Sequence, residues 1–262
     1  MKAACRDIET TWFEVGRGPV MVLVHGLADD HRAWRRLVPH LAQDHRLLMY
    51  DLRGHGQSTL GEADGTLQQL SDDLVALMDA VGLEEADLVG FSLGGTLVMR
   101  TAIDHPERVR RLMPVSTSSR VGRVAAEWYA ERARLAGEGV EALWPALEED
   151  TRLQFVNSPA DFADHFRMRL EATADPRGFG NACRAMAGLG SAPLDPELGR
   201  IAAPALVVAC DRDELCPPRA GEIIVQGIAG SRLEIVAGSG HQVEVERPAE
   251  LAALIHGFLS AA

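Results

Sequence analysis

The chain has 262 residues, 47% of them hydrophobic and 24% charged, a composition typical of a globular protein with one large domain. Its formal net charge of −12 disfavours nucleic acid and anionic membranes as partners, and no apolar run approaches the roughly 18 residues that cross a bilayer. Because Met1–Asp7 lacks the apolar stretch of a signal peptide, we expect a cytoplasmic protein.

Strand and helix patterns alternate over residues 1–117. Strands are predicted at Glu9–Val15, Val20–His25, Arg46–Asp51, around Leu88–Val89, and at Val109–Val115. Helices are predicted over residues 31–43, after an N-cap at Thr66, and after Ser92. Such alternation is typical of an α/β fold, in which a mostly parallel, twisted sheet carries helices on both faces.

The alternation stops between Ser118 and Pro196, where only helical spacing is found. Four helices are predicted there, at Arg123–Ala136, Val140–Asp150, Pro159–Thr173 and Pro176–Gly188, with breaks at Gly137/Gly139, at Asn157-Ser158-Pro159 and at Asp175-Pro176. The alternation then resumes with strands Ala205–Cys210 and Arg232–Val236 and with helices that end near Gly227 and Leu259. We therefore expect a core made of residues 1–117 and 197–262, with residues 118–196 inserted as a helical cap.

A single serine stands between the strand at Leu88–Val89 and the helix that follows it, in the segment Gly90-Phe91-Ser92-Leu93-Gly94. A strand that turns at once into a helix needs a strained backbone at the turn and small residues on either side. The turn holds a hydroxyl out at the tip of the sheet, beside the N-terminus of the helix. We predict that Ser92 is a nucleophile and that the N–H of Leu93 faces the oxyanion formed in its reaction.

A serine nucleophile needs a histidine base and an acid that orients the imidazole. His241 follows the last strand in a glycine-rich loop and comes after the serine in the chain, and it is the predicted base. Asp211 and Asp213 both follow the strand Ala205–Cys210. Asp213 is favoured as the acid because it lies deeper in the loop, and Glu214 is a weaker third candidate.

The chain resembles the α/β-hydrolase fold superfamily over its whole length. The motifs that carry the resemblance are His25-Gly26-Leu27, Asp51–Ser58, Gly90–Gly95, His105–Val109, Asp211–Pro218 and Gly240-His241. The resemblance implies a Ser92–Asp213–His241 triad and an oxyanion hole made by the N–H groups of Leu27 and Leu93. One departure is Cys210, since the acid loop of the family usually begins with glycine. The four cysteines lack metal-binding spacing, and neither a metal nor an organic cofactor is predicted.

Within the superfamily the chain is most similar to 3-oxoadipate enol-lactonases, a similarity that continues into the cap at Arg120–Arg123 and Ala172–Phe179. The predicted substrate pocket is lined by Phe91, Trp128, Trp144 and Met186. An enol-lactone acid also carries a carboxylate, which an arginine of the cap can bind. The candidates for that role are Arg134, Arg152, Arg167 and Arg169.

These observations predict a serine hydrolase that cleaves a small-molecule ester or lactone through an acyl-enzyme. Two related chemistries with the same triad stay open, C–C bond hydrolysis and natural-product tailoring. A hydrolase-fold protein can also act mainly as a ligand receptor, but no stretch of this chain marks a surface for a partner protein. Substrate range separates the enzyme classes, and very slow turnover with ligand-induced partner binding would indicate a receptor.

Overall fold

The structure is a computed structural model that describes residues 1–157 and 159–260. Eight strands form one sheet in the order β1-β2-β4-β3-β5-β6-β7-β8. Their bounds are Lys2–Cys5 (β1), Ile8–Gly16 (β2), Val20–Val24 (β3), Arg46–Tyr50 (β4), Ala86–Phe91 (β5), Val109–Val115 (β6), Leu206–Cys210 (β7) and Arg232–Val236 (β8). Pairing is antiparallel for β1–β2 and β2–β4 and parallel for the other neighbours. The predicted fold class is confirmed.

The α-helices are Val38–Leu41 (α1), Leu67–Ala80 (α2), Leu93–Asp104 (α3), Arg123–Glu138 (α4), Val140–Arg152 (α5), Pro159–Ala172 (α6), Pro176–Gly188 (α7), Pro218–Gly227 (α8), Val243–Glu246 (α9) and Pro248–Ser260 (α10). Three 3₁₀ segments cover His31–Arg36, Pro106–Arg108 and Asp195–Arg200. None of the helices in the described part of the chain is long and apolar enough to span a membrane. Ser158, within an expected helix break, and residues 261–262, at the end of the expected core, lie outside the described residues.

Two of the differences from the sequence-based expectation have a visible cause. The single helix expected over residues 31–43 is a 3₁₀ segment, His31–Arg36, followed by the short α1. Pro39 explains the change, because its ring has no N–H and clashes with the preceding turn of a continuous helix. β1 was not predicted, since of its four residues only Cys5 is fully buried and no alternation is visible.

Apolar side chains cover both faces of the parallel part of the sheet. Successive residues of β3 alternate between two buried clusters, with Val22 and Val24 in one and Met21 and Leu23 in the other. The first cluster includes side chains of α2 and α3, and the second includes the apolar side of α10. Burial on both faces explains why β3 reads as a continuous apolar run.

The carboxyl ends of the parallel strands meet at one edge of the sheet. β3 and β5 are neighbours, with Val24 paired to Gly90, so the loop after β3 lies beside the turn after β5. Helices α4–α7 lie between β6 and β7 in the chain, and a third apolar cluster joins them to Ala28 of the loop after β3. The edge that collects the loop residues is therefore covered by helices.

Candidate active site

Ser92 occupies a strained turn between β5 and α3. Its backbone angles are φ 52° and ψ −118°, in the positive-φ region that residues with a side chain rarely adopt. A Cβ on Gly90 would lie 2.2 Å from the Gly94 carbonyl oxygen, and one on Gly94 would lie 2.1 Å from the Val24 carbonyl oxygen. Both glycines are therefore required for the close approach of β5, α3 and β3.

Three of the predicted side chains meet at the carboxyl edge of the sheet. His241 Nε2 lies 2.9 Å from Ser92 Oγ, and His241 Nδ1 lies 2.7 Å from Asp213 Oδ2. His241 follows β8 and Asp213 follows β7, so two neighbouring strands deliver the imidazole and the carboxylate. The other oxygen of Asp213 accepts hydrogen bonds from the N–H groups of Leu215 and Cys216.

The environment of Asp213 keeps its carboxylate ionised. Burial by itself would raise the pKa of Asp213. The His241 imidazole and the two backbone N–H donors outweigh burial, and the pKa lies below its ordinary value. The resulting anion can orient the Nδ1–H of His241 and stabilise an imidazolium.

Asp211 has a different position from Asp213. Its side chain is exposed, and Oδ1 accepts hydrogen bonds from the N–H groups of Gly238 and Ser239 at 2.7 and 3.3 Å. Asp211 thus braces the loop that leads to His241, whereas Glu214 is exposed at the cavity wall. Cys210 ends β7, where its carbonyl accepts a hydrogen bond from the N–H of Asp213 and its Sγ lies 3.5 Å from Ser116 Oγ.

Leu93 and Leu27 have backbone N–H groups near Ser92 that find no acceptor among the described residues. Leu93 is the first residue of α3, where helical geometry supplies no partner for its N–H. Leu27 lies in the loop after β3. Within residues 1–157 and 159–260, neither N–H donates to a protein group. Leu27 and Ser92 both line one cavity, so these donors are available to a bound oxygen.

The cavity in front of Ser92 has a volume of about 540 Å³. Of the four side chains predicted to line it, Phe91 and Trp128 do, whereas the structure places Trp144 and Met186 outside the lining. Trp144 of α5 packs against the third apolar cluster, which joins α4–α7 to Ala28. Met186 of α7 is buried in the first cluster, with side chains of α2 and α3. Helical periodicity identifies buried faces but does not distinguish packing from pocket lining.

Two polar lining residues of α5 and the loop after it were missed in the sequence. Asp150 is bound by both Nε and Nη2 of Arg132 at 2.7 Å, and the side-chain oxygen of Gln154 accepts from the amide of Gln242, next to His241. With Leu147 they form a stripe at helical spacing. Polar residues within this otherwise apolar stripe are the sequence feature that could have identified the two positions.

The structure separates the four arginines considered as carboxylate ligands. Arg134, Arg152 and Arg167 are exposed and paired with acidic residues of their own helices. Arg169 is 2% exposed and lines the cavity. Its Nη1 donates to Thr151 Oγ1 at 2.9 Å and its Nη2 to the Leu27 carbonyl oxygen at 2.8 Å. Only Arg169 of this set is therefore near the site.

One group of the described residues, Asp30, His31 and Asp51, has donor atoms close enough to hold a metal ion. These atoms already have protein partners. His31 Nδ1 lies 2.7 Å from Asp51 Oδ1, and Arg32 Nη2 donates to Asp30 Oδ2 at 2.7 Å. The group therefore fastens the loops after β3 and β4 to each other.

The chain is similar over most of its length to known hydrolases. Residues 19–248 match the family described as alpha/beta hydrolase fold. The chain is 28% identical over 246 residues to 3-oxoadipate enol-lactonase 1 of Acinetobacter baylyi, an alignment that covers 92% of this chain and 88% of that protein. It is also 28% identical over 277 residues to 2-hydroxymuconate semialdehyde hydrolase of a Pseudomonas species, covering 97% and 92% of the two chains.

A solved structure shows the same similarity. The enol-lactonase from Burkholderia xenovorans LB400 superposes with a TM-score of 0.90 at 27% identity, covering 99% of this chain and all of that one. The family match spans most of the chain, from β3 to the start of α10, and includes Ser92, Asp213 and His241. The chain therefore belongs to the alpha/beta hydrolase fold family and is a hydrolase.

Proposed function

We propose that the protein is a serine hydrolase that cleaves a small carboxylic ester or lactone through an acyl-enzyme, with Ser92, His241 and Asp213 as the triad. The observation that carries the proposal is the continuous chain of contacts from Asp213 Oδ2 through the imidazole to Ser92 Oγ, at 2.7 and 2.9 Å. Hydroxyl, base and acid have the contacts that covalent catalysis requires.

In the first half of the reaction, Ser92 Oγ attacks the substrate carbonyl carbon while His241 Nε2 takes the hydroxyl proton. The tetrahedral intermediate then collapses, the C–O bond to the leaving oxygen breaks, and His241 returns the proton to that oxygen. With a lactone the leaving oxygen stays attached to the acyl chain. In the second half, His241 takes a proton from water, whose oxygen attacks the acyl carbon. The bond between that carbon and Ser92 Oγ then breaks, His241 returns the proton to Oγ, and the carboxylic acid leaves.

The N–H groups of Leu27 and Leu93 are the proposed oxyanion hole. The role is supported because neither N–H has an acceptor in residues 1–157 and 159–260, Leu27 lines the cavity with Ser92, and Leu93 directly follows Ser92. Donors aimed at the charge that develops in the transition state typically contribute about 10² to 10³ each to kcat. Because both donors are backbone groups, their function depends on loop geometry rather than on the identity of a side chain.

For the substrate, we propose an ester or lactone small enough for a cavity of about 540 Å³, with an enol-lactone as the first candidate. Support comes from the similarity to proteins named as enol-lactonases, at 27% and 28% identity. Trp128, Leu147 and Phe179 give the wall an apolar character suited to a short acyl chain. A C–C bond hydrolase is the second candidate, supported by the 28% identity to 2-hydroxymuconate semialdehyde hydrolase.

The test combines a substrate panel with labelling of the nucleophile. The panel contains p-nitrophenyl esters of graded chain length, saturated lactones, an enol-lactone and a ring-fission diketone. A fluorophosphonate is expected to label the parent protein at Ser92 but not Ser92→Ala, and that variant is expected to lose about 10⁴-fold or more in kcat. Retention of more than a tenth of the activity by Ser92→Ala would exclude covalent serine catalysis.

A further inference from the structure

Helix α6 presents two buried ionisable side chains, one turn apart, to the loop after β3. His165 Nε2 lies 3.1 Å from Asp29 Oδ1, and Arg169 Nε lies 3.6 Å from the same oxygen. Burial by itself would raise the pKa of Asp29, but His165 and Arg169 hold that pKa well below its ordinary value. The loop that carries Leu27 thus contains a buried anion that faces His165 and the guanidinium of Arg169 on α6.

Arg169 also binds the loop backbone directly. Its Nη2 donates to the Leu27 carbonyl oxygen at 2.8 Å, while its Nη1 donates to Thr151 Oγ1 at 2.9 Å. The Thr151 hydroxyl in turn donates to the Leu147 carbonyl of α5. The guanidinium is therefore fixed at both ends, and it joins α5, α6 and the loop.

The loop is held at its start by His25, whose Nδ1 lies 2.8 Å from the Gly26 carbonyl oxygen, but its later part is strained. The hydrogen bond from Asp29 N–H to the Gly26 carbonyl is long, at 3.3 Å, and Ala28 has a positive φ of 64°. A side chain on Gly26 would meet the Phe91 ring at 2.8 Å, so the loop needs this residue to be small. Among the described residues, Arg169 is the one side chain that binds the Leu27 carbonyl oxygen. The Leu27 carbonyl belongs to the peptide that follows Leu27, so this bond limits rotation about the Leu27 Cα–C bond, while the Gly26 carbonyl, which shares a peptide plane with the Leu27 N–H, lies 2.8 Å from His25 Nδ1. Loss of the Arg169 contact would therefore free one of the two peptides whose positions set the direction of the Leu27 N–H.

We propose that Arg169 is a positioning residue that fixes the Leu27 N–H as an oxyanion donor through its hydrogen bond to the Leu27 carbonyl. The inference rests on the proposed function, because it assigns Leu27 to the oxyanion hole. It differs from a role in binding a substrate carboxylate, since two donors of Arg169 are already used and Asp29 offsets its charge.

The experiment compares Arg169→Met with the parent protein in two measurements. One is kcat and KM on the best ester of the panel, and the other is the rate constant for labelling of Ser92 by a fluorophosphonate. The hydrogen bond to the oxyanion forms fully only in the transition state, so kcat and the labelling rate should fall while KM stays nearly constant. We expect a loss of about 10- to 100-fold, less than the 10² to 10³ for removal of a whole oxyanion donor.

Arg35→Met is the matched control. Arg35 links the same α6 to the 3₁₀ segment after the loop, by an ion pair with Asp164 at 2.7 Å, and it does not bind Leu27. The pair is partly exposed, so kcat is expected to stay within about threefold of the parent value. An equal loss in Arg35→Met would mean that a loosened cap, rather than the Leu27 contact, causes the effect, and would overturn the proposal.

Three further results would also overturn it. In the first, Arg169→Met has a lower Tm but an unchanged kcat, which would indicate a purely structural role. In the second, it has a raised KM and an unchanged kcat, which would indicate substrate binding. If Arg169→Met does not fold, Arg169→Lys and Thr151→Val decide. Loss of the Thr151 brace should lower kcat about fivefold at constant KM, and parent-like kcat in both variants would refute the role. A parent protein that is not labelled at Ser92 would instead refute the proposed function, and this inference with it.

Discussion

The Asp213 carboxylate accepts a hydrogen bond from His241 Nδ1 at 2.7 Å, whereas the Asp211 carboxylate, two residues earlier, binds the backbone of the loop that carries the same histidine. One acid contacts the imidazole and the other holds the Gly238–Ser239 turn. We therefore expect the two carboxylates to have separable effects on activity.

The first prediction compares Asp213→Asn with Asp211→Asn. Asp213→Asn should lower kcat about 10⁴-fold, because no carboxylate then fixes the tautomer of His241 or stabilises its imidazolium form. Asp211→Asn should keep kcat within about tenfold, since it weakens only hydrogen bonds to the exposed turn. Initial rates on one p-nitrophenyl ester measure both, and a larger loss at position 211 would reverse the assignment.

The second prediction concerns the turn at Ser92. Gly94→Ala should destabilise the protein by about 1–3 kcal/mol or more and lower activity, because the added Cβ would stand 2.1 Å from the Val24 carbonyl oxygen. Gly137→Ala, in α4 with open space around it, is the control. It should be neutral or stabilising, by up to about 1 kcal/mol. Thermal unfolding and kcat are the measurements, and equal Tm values for the two variants would contradict the steric argument.

The third prediction uses Trp128 and Trp144, of which only Trp128 lines the cavity. Trp128→Ala should raise KM for the longer p-nitrophenyl esters by about tenfold, because about 1–2 kcal/mol of apolar contact is lost. Trp144→Ala should leave KM unchanged and lower the Tm, since its ring packs against the cap cluster. A raised KM in Trp144→Ala alone would show that the substrate occupies a different part of the cap.

The fourth prediction is a pH dependence of stability that arises from Glu244. Both of its carboxyl oxygens are buried without a hydrogen-bond partner among the described residues. Burial, followed by the charge of Asp29, raises the pKa of Glu244 well above 4.5, and Arg35 only partly opposes them. The folded protein therefore binds a proton that the unfolded chain releases, and stability falls as the pH rises from about 4.5 towards the raised folded pKa.

Glu244→Gln removes this dependence. The free energy of unfolding of the variant should exceed that of the parent protein least near pH 5. The difference should grow with pH, by at most about 1.4 kcal/mol per pH unit. Urea unfolding at pH 5, 6, 7 and 8 measures the difference. Parallel curves for the two proteins would mean that the buried carboxyl has an ordinary pKa.

The amino-acid sequence by itself determined the fold class and the turn at Ser92. Those features depend on local rules, namely the alternation of apolar runs and the need for glycine where β5 and α3 approach closely. The sequence also indicated His241 and a pair of acids, because loops that follow parallel strands share one edge of the sheet. The proposed role of Leu27 as an oxyanion donor came from family resemblance rather than from the residues.

Only the tertiary structure decided which neighbour each of these residues has. Asp213 and Asp211 are two residues apart in one loop, and the path of the chain after β7 brings only the first to His241. Trp144 and Met186 pack away from the cavity, while Arg169 turns towards it and binds the Leu27 carbonyl. Such contacts join residues that are far apart in the chain. They depend on how helices pack against loops, and the spacing of residues along one helix or strand does not predict that packing.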